Sequence, residues 1–169
     1  MIFSCKCGIF RIIKSVSSIT HAHEISWLGC KIFCDYVSLI LDGVNKIDAV
    51  NKLREYDYNS YYTLDSIDKY RRILSGDIVN LTRDEIKSSG YVVDTLEAVM
   101  WLFLNSNDYN NTVLKAVNLG NDTDTIAAII RTIIIKSLNC SKNLTSKVFF
   151  FLASNSLKPY FSLELFTCS

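Results

Sequence analysis

The chain has 169 residues, 49% of them hydrophobic and 21% charged, which is enough length and apolar content to bury the core of one domain. Its net charge of +1 gives no electrostatic basis for nucleic acid or a membrane surface as partner, and neither is expected. One proline and six glycines suit a mostly helical chain better than a β-rich one, whose tight turns consume both.

The opening MIFSCKCGIFRIIKSV is apolar and basic, like the start of a signal peptide. Lys6, Arg11 and Lys14 interrupt it before an apolar region of adequate length forms, so secretion is not expected. No stretch reaches the roughly 18 uncharged apolar residues of a membrane span. The six cysteines, Cys5, Cys7, Cys30, Cys34, Cys140 and Cys168, therefore read as free thiols in a reducing compartment, and the chain as cytoplasmic. Neither Cys5-x-Cys7 nor Cys30-x3-Cys34 has a common zinc spacing. The second pair falls on one helix face, as buried structural thiols do.

Ser17 to Thr20 reads as a loop feeding a helix from Glu24 to about Leu41, where Ile25, Leu28, Ile32, Tyr36 and Leu39 fall near helical spacing and Gly43 is the stop. A second helix is predicted from about Lys46 to Tyr56, with Ala49, Val50 and Leu53 on one side. Residues 57–64, rich in tyrosine and asparagine, read as loop, and a short helix near Ser66 to Leu74 ends before Gly76. Gly90 breaks the chain, and Tyr91 to Val93 is expected to be extended. From about Asp94 to Asn105, Leu96, Val99, Met100 and Phe103 form one stripe, Asp94 or Thr95 offers the N-cap, and Glu97 falls in the first turn. Asp108 or Asn110 starts a further helix through Val117, Gly120 is its left-handed C-terminal residue, and a last helix runs from about Asp124 to Leu138. Trp27 and Trp101 read as core. No internal repeat, low-complexity tract or linker is evident, and the sum is an all-α bundle of about six helices.

The carboxylates are unevenly spread. Sixteen of the seventeen lie between Glu24 and Asp124, so the two ends are compositionally unlike the middle. Two of them, in NLGNDTDTIAAII, stand two residues apart at the mouth of an apolar helix. One reading is capping: an Asp at the N-cap and another in the first turn satisfy orphan N–H groups and complement the helix dipole. The other is a metal site, because two carboxylates and a hydroxyl supply the hard oxygens that Mg²⁺ or Mn²⁺ takes, and Gly120 lets backbone approach closely.

The run SSGYVVDTLEAVMWLFLNSNDYNNTVLKAVNLGNDTDTIAAI, residues 88–129, resembles the C-terminal part of the ADP-ribosylglycohydrolase family. SSITHAHEISWLGCKIFCDYVSLILDG, residues 17–43, is similar to the family's mid-chain Ile-Thr-His segment and the helix after it. The resemblance implies an all-α bundle around a two-metal centre, with Mg²⁺ or Mn²⁺ as cofactor and ADP-ribose or an ADP-ribosylated protein as ligand. It implies that Asp122, Asp124 and Thr125 are metal ligands. It implies that His21 lies beside the substrate pocket, that Gly90 and Tyr91 line the ADP-ribose cleft, and that Gly120 and Asn121 hold the turn before the ligands. The implied reaction is hydrolysis of the glycosidic bond between ADP-ribose and a protein side chain.

The family's other metal-binding segment, Thr-Asp-Asp-Thr, occurs nowhere in this sequence, so no catalytic residue is identified. The chain resembles a partial copy: a glycohydrolase-like region over 17–130, with divergent segments over 1–16 and 131–169. Bulky Ile133, Ile134 and Ile135 stand where the family has small residues, and Arg131 falls where a close-packing face is expected. The acid-poor ends are expected to derive from translation outside the ancestral frame or past an ancestral gene boundary. The alternatives to a hydrolase are an inactive ADP-ribose-binding module or a degenerate fragment. A separate chain supplying the N-terminal half is the partner that would complete the centre.

Overall fold

A computed structural model describes residues 6–138 except residue 107. They form eight α-helices: α1 (Lys6–Ser17), α2 (Glu24–Leu41), α3 (Lys46–Leu53), α4 (Leu64–Lys69), α5 (Arg71–Leu74), α6 (Val92–Leu104), α7 (Tyr109–Val117) and α8 (Thr123–Leu138). Single 3-10 turns lie at Asp77–Asn80 and Arg83–Glu85, and no strand occurs among the described residues. The fold class is all-α, as expected, with more and shorter helices than the periodicity suggests.

Two helices organise the bundle. α2 packs against α1, α3, α4, α6 and α8, and α6 packs against α2, α3, α7, α8 and the 77–80 turn. α6 can be enclosed this way because it is apolar nearly all round, with every residue from Leu96 to Met100 buried. Leu28, Ile32, Phe33, Tyr36 and Val37 of α2 face it across the core. The Tyr36 and Phe103 rings meet edge to face at 6.1 Å. Lys46 closes the far end of α6, donating to the carbonyls of Phe103 (2.9 Å) and Ser106 (2.6 Å), where a cation suits the negative end of the helix dipole.

α2 has the expected bounds. His23 is its N-cap, and His23 Nδ1 accepts from the Ile25 N–H at 3.2 Å. Trp27 and Trp101 are half-buried against the core, and Trp101 Nε1 donates to the Leu81 carbonyl at 2.8 Å. Cys30 and Cys34 are free and half-buried, and burial pushes both thiols above their ordinary value. Cys5, Cys140 and Cys168, and the side chain of Cys7, lie outside the described residues.

The basic, acid-free opening, to which the periodicity assigns no element, forms a helix, α1, that packs on α2. Three expectations are corrected. α3 stops at Leu53 rather than Tyr56, and the Ser66 to Leu74 stretch is two short helices divided at Tyr70. α6 begins at Val92, so only Tyr91 is extended. Tyr91 is the cap, through its backbone alone, with its carbonyl accepting from the Thr95 N–H at 2.9 Å. Asp94 is the first-turn acid, and Glu97 is buried one turn deeper. α8 reaches Leu138, as expected. Arg131 is exposed, while Ile126, Ile130, Ile133 and Ile134 form the buried stripe; the Ile135 side chain lies outside the described residues. No helix among the described residues is long and apolar enough to cross a membrane.

Candidate functional site

The turn that feeds α8 has an unusual backbone. Gly120 (φ +81°) and Asn121 (φ +56°) are consecutive residues in the left-handed region. Glycine adopts that region without steric cost, and asparagine tolerates it far better than branched residues do. The pair reverses the chain after α7 so that Asp122 becomes the N-cap of α8, its carbonyl accepting from the Ile126 N–H at 3.3 Å. The Asp122 side chain turns to a neighbouring hydroxyl: Thr125 Oγ1 donates to Asp122 Oδ1 at 2.7 Å. Asp124 is exposed in the first turn of the same helix.

A second loop lies against this turn. Asp122 N–H donates to the Ser88 carbonyl at 3.1 Å, and Ser88 Oγ donates to the Leu119 carbonyl at 3.2 Å. Arg83 Nη2 donates to the same carbonyl at 2.8 Å. Two residues on, Gly90 comes so near that a β-carbon there would stand 3.9 Å from Asp122 Oδ2. Ser89 Oγ accepts from the Tyr91 N–H (3.1 Å) and donates to Asp94 Oδ2 (2.6 Å), while Thr95 Oγ1 donates to the Ser89 carbonyl (3.1 Å). The Gly90–Tyr91 loop is thereby fixed to the start of α6, and Tyr91 projects with 47% of its surface exposed.

The structure thus brings Gly90, Gly120, Asn121, Asp122 and Thr125 together, with Tyr91 beside them. His21 is an exposed residue of the link between α1 and α2, its backbone N–H donating to the Ser17 carbonyl at 2.8 Å. A shallow depression of about 580 Å³, lined by Gly43, Val44, Asn45, Asp48, Asn51, Lys52 and Glu55, includes none of the residues expected at the site.

The donor chemistry at the α8 mouth, two carboxylates and a hydroxyl, suits a hard divalent cation. It is a partial set. Among the described residues no group of three or more His, Cys, Asp and Glu side chains is arranged to hold a metal, so a complete shell would need oxygens from elsewhere or from water. Arg83 and Ser88 were not anticipated. They act on a carbonyl 36 and 31 residues away, and no local spacing encodes such contacts.

The family model for ADP-ribosylglycohydrolase matches residues 5–131, three quarters of the chain, and the chain belongs to that family. It is similar to the ADP-ribosylarginine hydrolase Tri1 of Pseudomonas putida (strain GB-1), with 35% identity over 116 residues that make up 66% of this chain and 28% of the relative. It is also similar to the ADP-ribosylarginine hydrolase Tri1 of Serratia proteamaculans (strain 568), with 32% identity over 114 residues, 68% of this chain and 29% of the relative. The chain spans less than a third of the length of these curated relatives.

Proposed function

We propose that this chain carries the Asp-x-Asp-Thr half of an ADP-ribosyl hydrolase centre. Asp122, Asp124 and Thr125 would hold Mg²⁺ or Mn²⁺, and Gly90 and Tyr91 would face the bound ADP-ribose. The observation that supports this most is the meeting of two loops: Asp122 N–H bonded to the Ser88 carbonyl, with Gly90 against the Asp122 carboxylate. A cation bound there would supply charge stabilisation for ribose hydroxyls and for an attacking water. The chain's own part is to present oxygens in a fixed turn, to keep the Gly90 side open for the ligand, and to offer the exposed Tyr91 ring as a platform.

The relatives named ADP-ribosylarginine hydrolase make an arginine-linked ADP-ribose the favoured substrate. Cleavage of that bond would require a further carboxylate for proton transfer, contributed by a complementary segment in this chain's assembly. The absence of any three-acid cluster among the described residues favours a second reading for this portion by itself: binding of ADP-ribose without turnover.

Thermal unfolding of the full chain with Mn²⁺ and ADP-ribose tests the reading. A ligand that binds only the folded state stabilises by RT ln(1 + [L]/Kd), about 2.7 kcal/mol at a hundredfold excess over Kd. The melting temperature should rise, and Asp122→Ala with Asp124→Ala should abolish the rise. No rise in the natural sequence, or an equal rise in the double variant, would overturn it.

A further inference from the structure

The geometry points to Ser88 as a positioning residue that sets the Asp122 carboxylate in place by bridging the two ends of the left-handed turn. Its hydroxyl donates to the Leu119 carbonyl on one side of Gly120 and Asn121, and its carbonyl accepts from the Asp122 N–H on the other. Ser88 is only 4% exposed, so both bonds are shielded from water. A buried serine with no partner would be costly, and here both of its polar groups are used on one turn.

The bridge has a consequence for the site. Of the two left-handed residues only Asn121 carries a conformational cost, and a non-glycine residue holds that conformation where the surroundings fix it. Ser88 and Arg83 both bond the Leu119 carbonyl, and Ser88 also holds Asp122, so the turn is fixed at two points. Ser88 is two residues from Gly90 on the same strap. Ordering of the Asp122 turn and ordering of the Gly90–Tyr91 loop are therefore coupled, and a ligand that engages one also steadies the other. The link to cation binding rests on the function proposed above; the link to the turn stands by itself.

Amide hydrogen exchange and Mn²⁺ paramagnetic broadening, both read by NMR on the full chain, separate the two links. In Ser88→Ala, exchange at Asp122 N–H should accelerate about fivefold, the factor that corresponds to one net hydrogen bond, while amides in α2 stay unchanged. Ser88→Thr, which keeps the hydroxyl, should restore slow exchange. Arg83→Ala, at an exposed residue, should loosen the same turn from its other donor. The Mn²⁺ concentration that broadens the Asp124 and Thr125 amides should rise severalfold in Ser88→Ala. Exchange that is unchanged, or that accelerates evenly along the chain, would overturn the positioning role. A natural sequence whose α8 amides ignore Mn²⁺ would instead overturn the proposed function, and the exchange result would still decide the role of Ser88.

Discussion

Arg72 of α5 and Glu97 of α6 form an ion pair at 3.1 Å in which the carboxylate is 5% exposed and the guanidinium 33%. Arg72 also donates to the Glu85 carbonyl at 3.0 Å, so one side chain ties α6 to the strap that leads to Ser88 and Gly90. Glu97→Ala leaves the guanidinium without its counter-charge. Because Arg72 is partly solvated, the expected cost is about 2–3 kcal/mol, below the upper end for breaking a fully buried pair. Urea denaturation measures it. Burial raises the Glu97 pKa, with Arg72 opposing and Asp94 reinforcing. The folded state therefore holds this proton more tightly than the unfolded chain. Stability should fall as pH rises from the ordinary glutamate value through the raised one, then level off. Glu97→Gln should remove that slope, which denaturation midpoints from pH 4 to 7 report.

Asp108 gives the opposite sign. It caps α7, accepting from the Asn111 N–H at 2.8 Å, and that backbone bond lowers its pKa. The cap's contribution is present above the ordinary aspartate value and disappears as pH falls through the depressed one. Asp108→Ala should lower the melting temperature at neutral pH. Asp108→Asn, which still caps, should hold it and flatten the acid limb of the stability curve.

Gly29 lies where α2 meets α6 and Tyr70. A β-carbon there would run into the Tyr70 hydroxyl oxygen and stand 3.4 Å from Val92 Cγ2, and the Tyr70 hydroxyl is itself committed to the Ile25 carbonyl at 2.8 Å. Alanine gains about 1 kcal/mol of helix propensity over glycine, but overpacking costs about 1–3 kcal/mol, so Gly29→Ala should destabilise on balance. In a Tyr70→Phe background the nearest obstacle is gone and the penalty should shrink. A double-mutant cycle by urea denaturation reads the coupling, and strict additivity would contradict the packing described.

At the turn before α8, nothing lies within 4 Å of a β-carbon on Gly120, so the cost of Gly120→Ala is purely conformational, about 1–2 kcal/mol from its positive φ. Asn121→Gly should be neutral or slightly stabilising, whereas Asn121→Val should cost more than either. Melting temperatures of the three variants check the order.

Much of this was legible in the sequence where local chemistry decides. The apolar period of α2, ending ahead of Gly43, marks its length, and Asp108 marks the start of α7. Gly120 marks the left-handed residue after α7, whereas the left-handed conformation of Asn121 beside it has no such signal. α6 starts two residues before the position that Asp94 marks, because its cap uses no side-chain bond and Asp94 accepts from Ser89 instead. α1 was hidden because its basic, acid-free composition imitates a leader segment. The Arg83 and Ser88 bonds to Leu119, and the Arg72–Glu97 pair, are products of tertiary packing. Their partners are 25 to 36 residues apart in sequence, beyond any helical or turn period.

The central claim is that Asp122, Asp124 and Thr125 at the mouth of α8 take a divalent cation in the service of an ADP-ribose site. Isothermal titration of the full chain with Mn²⁺, in the presence of saturating ADP-ribose, measures this most directly. Heat of binding that disappears in the Asp122→Ala, Asp124→Ala double variant while its helical circular dichroism persists is the predicted result. Binding of equal strength in that variant, or no uptake by the natural sequence, would contradict it.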